Sequence, residues 1–157
     1  MIRADFISTS GRVKRSAAWI VSLVVGVLVS VVPIARAAPG DTTLVSRASG
    51  ATGVAGNGVS GFPAISGDGR LVAFDSLSSN LTPDDRDRKS DIFVRDVVAN
   101  TTILVSRAGG AAGVKGNGRS DDAAISGDGN RVAFASRASD LTRGDRDRTP
   151  DVFVRDL

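Results

Sequence analysis

The chain has 157 residues and a formal net charge of +3, but that charge is unevenly distributed. Five of the 20 basic residues and one of the 17 acidic residues lie in the segment 1–38, so the remainder carries a net charge of −1. This balance excludes the basic surface of a nucleic-acid-binding protein, and the absence of cysteine excludes disulfides.

The segment 1–38 has the composition of an export signal. Basic residues before position 16 are followed by an apolar run at 17–34 and by small residues at 35 and 37, a spacing that suits signal peptidase. We predict a signal peptide at 1–38 and an exported protein, either periplasmic or secreted. The alternative is an uncleaved membrane anchor and a cell-surface protein, because about 18 apolar residues just span a bilayer.

Positions 39–157 consist of two repeats, at about 42–101 and 102–157. The segment 44–97 aligns with 104–157 without a gap, and 35 of the 54 aligned positions are identical. The segments LVSRA, GNG, ISGDG, VAF, DRDR and FVRD occur in both copies. A fixed period of this kind is the signature of a repeat architecture.

Each repeat predicts four short β-strands separated by turns. In the first copy we place the strands at 42–46, 63–66, 70–76 and 91–97, with a tight Gly-Asp-Gly turn at 67–69. The alternation of apolar residues predicts that Val72 and Phe74 face inward. Position 71 is Leu in the first copy and its equivalent in the second is Arg131, which predicts an outward-facing side chain.

The order of these segments resembles the TolB-like (WD-repeat-like) β-propeller repeat, with its Asp-Gly turn, Val-Ala-Phe strand and Asp-x-Phe-Val strand. The resemblance implies an all-β fold of two four-stranded antiparallel blades, one for each repeat, within a larger or an oligomeric propeller. Two blades fall short of a closed ring. We therefore expect either further blades in a longer protein or head-to-tail self-association.

Position 44 aligns with position 104, so the repeat has a period of 60 residues. This period exceeds the roughly 40–50 residues of common propeller blades and therefore predicts extended loops. The two candidate loops are 47–60 and 77–90. Connections in a meander alternate between the two ends of the strands, so both loops are expected at one end, which is the predicted binding surface. The Gly-Asn-Gly segment at 56–58 is interpreted as a turn.

Aspartates at alternate positions are the candidate metal ligands. Calcium takes several oxygen ligands from a flexible loop, and these loops supply carboxylates at positions 1, 3 and 7. They lack the glycine and the closing glutamate of a complete calcium loop, so surface ion pairing with neighbouring arginines is the alternative. The six residues are Asp85, Asp87, Asp91, Asp145, Asp147 and Asp151.

Two arginines occupy equivalent strand positions. Arg95 and Arg155 directly precede Asp96 and Asp156. We predict cross-strand pairing of these arginines with aspartates in preference to a basic ring that binds a ligand.

The residue types present disfavour an enzyme. The chain contains no histidine, cysteine, tyrosine or glutamate, so aspartate is the main proton carrier available for catalysis. We predict a non-catalytic extracytoplasmic propeller module that binds a protein or an envelope component. The alternatives are a calcium-dependent binder of a ligand such as a carbohydrate, and the N-terminal fragment of a larger propeller-containing hydrolase.

Overall fold

The computed structural model of the chain describes residues 40–110 and 113–157, which form strands, turns and loops without a helix. No helix in these ranges is suited by length and apolarity to span a membrane. The predicted export signal at 1–38 lies outside the described residues. The all-β fold class predicted from the sequence is confirmed.

The strands form two antiparallel sheets, each in chain order. The first sheet contains β1 to β4 and the second contains β5 to β7. Antiparallel meanders of four strands are the units of β-propellers, so we call the sheets the first and second blades. The described residues form no closed ring. The strands are β1 (Ser60–Ile65), β2 (Leu71–Ser76), β3 (Asp91–Asp96), β4 (Thr101–Leu104), β5 (Ser120–Ile125), β6 (Arg131–Ser136) and β7 (Asp151–Asp156).

The first strand of each blade contains a β-bulge. In the first blade the register shifts between Gly61 and Ala64, and Phe62 between them has a φ of 47°. The bulge allows Ser60 to pair with Ser76. Strand β1 therefore begins at position 60 and not at the predicted position 63, because a bulge conceals the alternation on which the prediction depends.

The predicted turn at 67–69 is confirmed. Gly69 has a φ of +72°, which glycine adopts at little cost. One carboxylate oxygen of Asp68 accepts hydrogen bonds from the Ser66 hydroxyl at 2.6 Å and the Arg70 amide at 3.0 Å. These bonds hold the pKa of Asp68 below its ordinary value.

The predicted strand at 42–46 is not formed. Its repeat equivalent is strand β4, which pairs with β3 so that Leu104 lies opposite Phe93 and Thr101 lies opposite Asp96. The second sequence repeat thus contributes the fourth strand of the first blade. The segment 42–46 has no such partner among the described residues, and a β-strand forms only through hydrogen bonds to a neighbouring strand.

The main apolar core lies between the blades. Ala73, Ile92 and Val94 of the first blade pack with Val132 and Phe134 of the second. The first three residues point to one side of their sheet and the last two to the opposite side of theirs, as alternation along a strand requires. The two blades therefore pack face to face.

Strand β2 is buried on both sides. On the side away from the second blade, the ring of Phe74 stacks on that of Phe93 with centroids 5.9 Å apart, and Leu81 covers the pair. On the other side, Leu71 packs against the core between the blades. The prediction that position 71 faces outward is therefore wrong for the first copy, although Arg131 in the second copy is exposed.

Candidate functional site at the loop end

Long and short connections lie at opposite ends of the blades. We call the end with the long connections the loop end and the opposite end the turn end. The loop end comprises 55–59, 77–90, 105–106, 115–119 and 137–150, and the turn end comprises 66–70, 97–100 and 126–130. The segment 48–54 extends along the first blade toward the turn end, where the Gly50 amide donates to the Asn100 carbonyl at 2.7 Å.

The two long loops of each repeat are joined by hydrogen bonds. The Asn57 amide donates to the Asn80 side-chain oxygen at 3.0 Å, and the Ser79 amide donates to the Asn57 side chain at 2.9 Å. In the second copy, the Asn117 amide donates to Asp140 at 2.9 Å. The prediction that both loops lie at one end is confirmed for residues 55–59 and 77–90, and in each repeat these parts of the loops form one hydrogen-bonded surface.

The glycines of the Gly-Asn-Gly segments are required for this contact. A Cβ on Gly58 would lie 2.5 Å from the carbonyl carbon and oxygen of Leu77, and one on Gly118 would lie 2.4 Å from those of Arg137. Neither glycine has a positive φ. The sequence interpretation of 56–58 as a turn is therefore replaced: glycine is required there because two backbone segments approach each other closely.

The first group of candidate metal ligands surrounds an ammonium group. The Lys115 Nζ lies 3.0 Å from Asp87 Oδ2, 3.0 Å from Asp91 Oδ2 and 3.9 Å from Asp85 Oδ1. Asp85 and Asp91 are fully buried and Lys115 is largely buried. Lys115 belongs to the second repeat, so this ion-pair cluster, which we call the Lys115 cluster, links the two blades at the loop end.

Burial has the largest effect on the pKa values of the two buried carboxylates in this cluster. It raises the pKa of Asp91 to about 6, against the lowering effects of the Ser106 hydroxyl and of Lys115. Burial also raises the pKa of Asp85. Burial alone would lower the pKa of Lys115, but its bonds to Asp87 and Asp91 raise that pKa. The ammonium group therefore stays charged and neutralises the buried carboxylates.

Sequence reasoning missed Lys115. The signal is a break in the repeat, because Lys115 occupies the position of Ala55 in the first copy. That break introduces a positive charge into a loop that the meander places beside the aspartates of the preceding blade. A comparison of charge changes between repeats could have identified it.

The second group has no equivalent ammonium group. The carboxylates of Asp145, Asp147 and Asp151 each have an oxygen within 4.8 Å of the others, and no Lys or Arg side chain in the described ranges forms an ion pair with them. The Thr149 hydroxyl and amide donate to Asp147 at 2.6 and 2.8 Å and hold its pKa below the ordinary value. The buried Asp145 Oδ2 accepts no hydrogen bond from the described residues.

The predicted pairing of Arg95 and Arg155 with neighbouring aspartates is wrong. Arg95 is buried and donates to the carbonyl oxygens of Ala48 at 3.1 Å and Asn100 at 3.0 Å. Arg155 donates in the same way to the carbonyl oxygen of Ala108 at 3.1 Å. Each guanidinium thereby anchors a loop to a blade, because its several donors satisfy carbonyls that have no strand partner.

Comparisons with known proteins find no matching family model and no matching curated protein. Among solved structures, the chain is similar to the crystal structure of TolB from Acinetobacter baumannii, with 17% sequence identity and a TM-score of 0.40. The similarity covers 66% of this chain and 20% of that chain, so this chain spans about a fifth of the length of the TolB chain.

Proposed function

We propose that the chain is a non-catalytic, extracytoplasmic interaction module of the TolB-like propeller type, which binds a protein or an envelope component through the surface formed by its long loops. The observation that carries this proposal is a pair of exposed valines, Val54 and Val114, at equivalent positions of the two repeats. Both lie on loops that are held to a rigid sheet by hydrogen bonds. Apolar groups exposed at equivalent loop positions favour a partner that contacts both blades.

The surroundings of Val54 support a binding role. A groove of about 440 Å³ lies between the two loops of the first repeat and is lined by both apolar and polar groups, the latter including Ser49, Asn80 and Arg86. Ala48, which also lines the groove, donates its amide to the Val54 carbonyl at 2.9 Å. An apolar anchor beside polar groups that can donate or accept hydrogen bonds is the usual composition of a protein-binding surface. Export by the segment 1–38 would place this surface outside the cytoplasm.

Site-specific photo-crosslinking tests this proposal. We expect a photoreactive amino acid at Val54 or Val114, introduced into the full chain in cells that produce it, to form an adduct of the same mass from both positions. Asp68 and Asp128 are exposed at equivalent positions of the turn end and serve as matched controls. Adduct formation from Asp68 or Asp128 equal to that from Val54 and Val114 would contradict the proposal.

Calcium-dependent ligand binding is a second candidate function. The observation that favours it is the group Asp145, Asp147 and Asp151, whose closely spaced carboxylates have no ammonium partner among the described residues and include the unpaired Asp145 Oδ2. These hard oxygen donors are the ligand type that calcium takes in proteins. Asp85, Asp87 and Asp91 are weaker candidates, because Lys115 already supplies their countercharge.

Thermal unfolding tests the calcium proposal. We expect calcium at ~100 times its Kd to raise the Tm of the metal-free chain by roughly 5–10 °C, because a ligand that binds only the native state stabilises it. The rise should vanish in Asp145→Asn and persist in Asp68→Asn, which alters an aspartate at the turn end. An unchanged Tm in a sample first shown to be free of metal would contradict calcium binding.

A further inference from the structure

A small pocket lies between the two blades at the loop end, beside their first strands. Its walls come from the start of β1, the end of β2 and Ser90 in the first repeat, and from Arg119 in the second. Its volume is about 180 Å³. Pockets for drug-sized ligands measure about 300–1,000 Å³, so this pocket suits a single side chain or a small molecule of similar size.

The composition of the pocket is specific to this junction between the blades. Seven of the eight residues that line it occupy positions that differ between the two copies, although 35 of the 54 aligned positions are identical. Asp75, for example, is equivalent to Ala135, and Ser90 is equivalent to Pro150. The strand and turn pattern that both copies share therefore does not account for these residues.

Asp75 provides a buried carboxylate without a cationic partner. It is 7% exposed, and no Lys or Arg of the described residues forms an ion pair with it. Burial and the nearby Asp121 carboxylate raise the pKa of Asp75, against smaller lowering effects. In the described ranges, a Cβ on Gly61 would have Asp75 Oδ1, at 3.5 Å, as its single neighbour within 4 Å. The space beside this oxygen is therefore open, because Gly61 has no side chain.

Ser90 adds a hydrogen-bonding group that the chain itself leaves unused. Ser90 lines the pocket and is 5% exposed, yet its hydroxyl has no hydrogen-bond partner in the described part of the chain. Its main-chain oxygen accepts the Ser120 amide at 2.8 Å, which fixes this residue against the second blade. Buried polar groups usually have partners, so a ligand that donates hydrogen bonds would satisfy both Ser90 and Asp75.

The charges around the pocket favour a cation. The guanidinium of Arg119 interacts electrostatically with three carboxylates, which belong to Asp75, Asp121 and Asp122. Arg119 already donates to Asp121, so it is not free to bind an anionic ligand. The three carboxylates do not all lie within 4.8 Å of one another, in contrast to both groups of candidate metal ligands. This spacing disfavours a bare metal ion and favours a larger organic cation.

Exposed apolar side chains lie beside these polar groups. Val59, Phe62 and Leu77 all line the pocket, and all three are exposed. An alkyl chain that carries an ammonium group places its methylene groups along such apolar surface while the charged end contacts a polar group. The pocket thus combines an apolar wall with a buried carboxylate.

We propose that this pocket binds an aliphatic ammonium group, which donates hydrogen bonds to the Asp75 carboxylate and the Ser90 hydroxyl. The ammonium group belongs either to a free amine or to a lysine side chain of another protein. The proposal does not rest on the binding surface at Val54 and Val114, because a free amine can enter the pocket whether or not a partner contacts those valines.

NMR titration of the isotope-labelled full chain tests the proposal. We expect Nα-acetyllysine amide and diaminopentane to shift the backbone amides of Gly61, Asp75 and Arg119 saturably, because each carries an ammonium group on an alkyl chain. Nα-acetylnorleucine amide, whose side chain is uncharged, should cause no saturable shift. Saturation by the lysine derivative alone would assign the site to a lysine side chain, and saturation by the diamine alone would assign it to a free amine. Binding of neither, or equal binding of the norleucine derivative, would overturn the proposal.

Two variants test the position of the ammonium group. Asp75→Ala removes the countercharge, and the fold accepts alanine at the equivalent Ala135. We expect this variant to bind about tenfold more weakly or worse, because a charge-assisted hydrogen bond is lost. Gly61→Ala should also weaken binding, because its methyl group fills the space beside Asp75 Oδ1, and the φ of Gly61 is not positive. Asp68→Ala, at the turn end, is the control and should bind as the native chain does. Native-like binding by Asp75→Ala or by Gly61→Ala would overturn the proposal.

Discussion

Replacement of Lys115 by alanine is expected to lower the free energy of unfolding by about 3–5 kcal/mol at pH 8, because it leaves buried carboxylates without a countercharge. Asp85 and Asp91 are fully buried, and Lys115 is the cation that contacts both. Denaturant unfolding of the full chain, followed by circular dichroism, measures the change. Since Lys115 joins the two blades, the variant should also weaken their packing.

The loss caused by Lys115→Ala should depend on pH. With Lys115 in place the pKa of Asp91 is already raised to about 6, and removal of the ammonium group raises it further. The native state therefore binds the proton more tightly than the unfolded state, in which the pKa of aspartate is about 4. This contribution to stability is fully present below about pH 4 and is lost as the pH rises through the folded pKa. We expect the defect to be largest at pH 8 and clearly smaller at pH 5.

Lys89→Ala is the matched control for this prediction. Lys89 forms a 3.5 Å ion pair with Asp87, but both side chains are substantially exposed. Surface pairs of this kind contribute about 0–1 kcal/mol, so the variant should unfold almost as the native chain does. Similar losses for Lys115→Ala and Lys89→Ala, or a Lys115→Ala defect that is independent of pH, would contradict the interpretation of the Lys115 cluster.

Replacement of Gly58 by alanine is expected to destabilise the chain by about 3 kcal/mol, because the new Cβ would overlap backbone atoms. The nearest atoms are the carbonyl carbon and oxygen of Leu77 at 2.5 Å and the Ser78 amide nitrogen at 2.8 Å. None of these can move as the end of a flexible side chain can. The contact between the two loops of the first repeat must therefore open, which thermal unfolding would show as a lower Tm.

Gly127→Ala provides the comparison for Gly58→Ala. Gly127 lies at the turn end, its φ is not positive, and a Cβ there would meet nothing within 4 Å. This substitution should be neutral or slightly stabilising, because alanine restricts the unfolded chain more than glycine does. If Gly58→Ala were as well tolerated as Gly127→Ala, the close approach of the two loops would not be required for stability.

Features that depend on neighbouring residues and on the period could be predicted from the sequence. They include the repeat itself, the turn at 67–69, strands β2 and β3, and the convergence of the two long loops. Alternation and turn chemistry act over a few residues, and a meander sends alternate connections to the same end. The spacing of Asp85, Asp87 and Asp91 likewise placed their carboxylates together, because all three lie on one short loop.

Features that depend on a partner distant in the chain emerged only from the tertiary structure. The segments 42–46 and 102–106 are closely similar in sequence, yet only the second contributes to a strand, because only it has β3 beside it. Leu71 is buried because a second blade covers it, and Arg95 donates to carbonyls that a loop brings to it. Lys115 of the second repeat reaches Asp91 of the first blade. Hydrogen bonds and ion pairs of this kind follow from packing, which the local pattern does not specify.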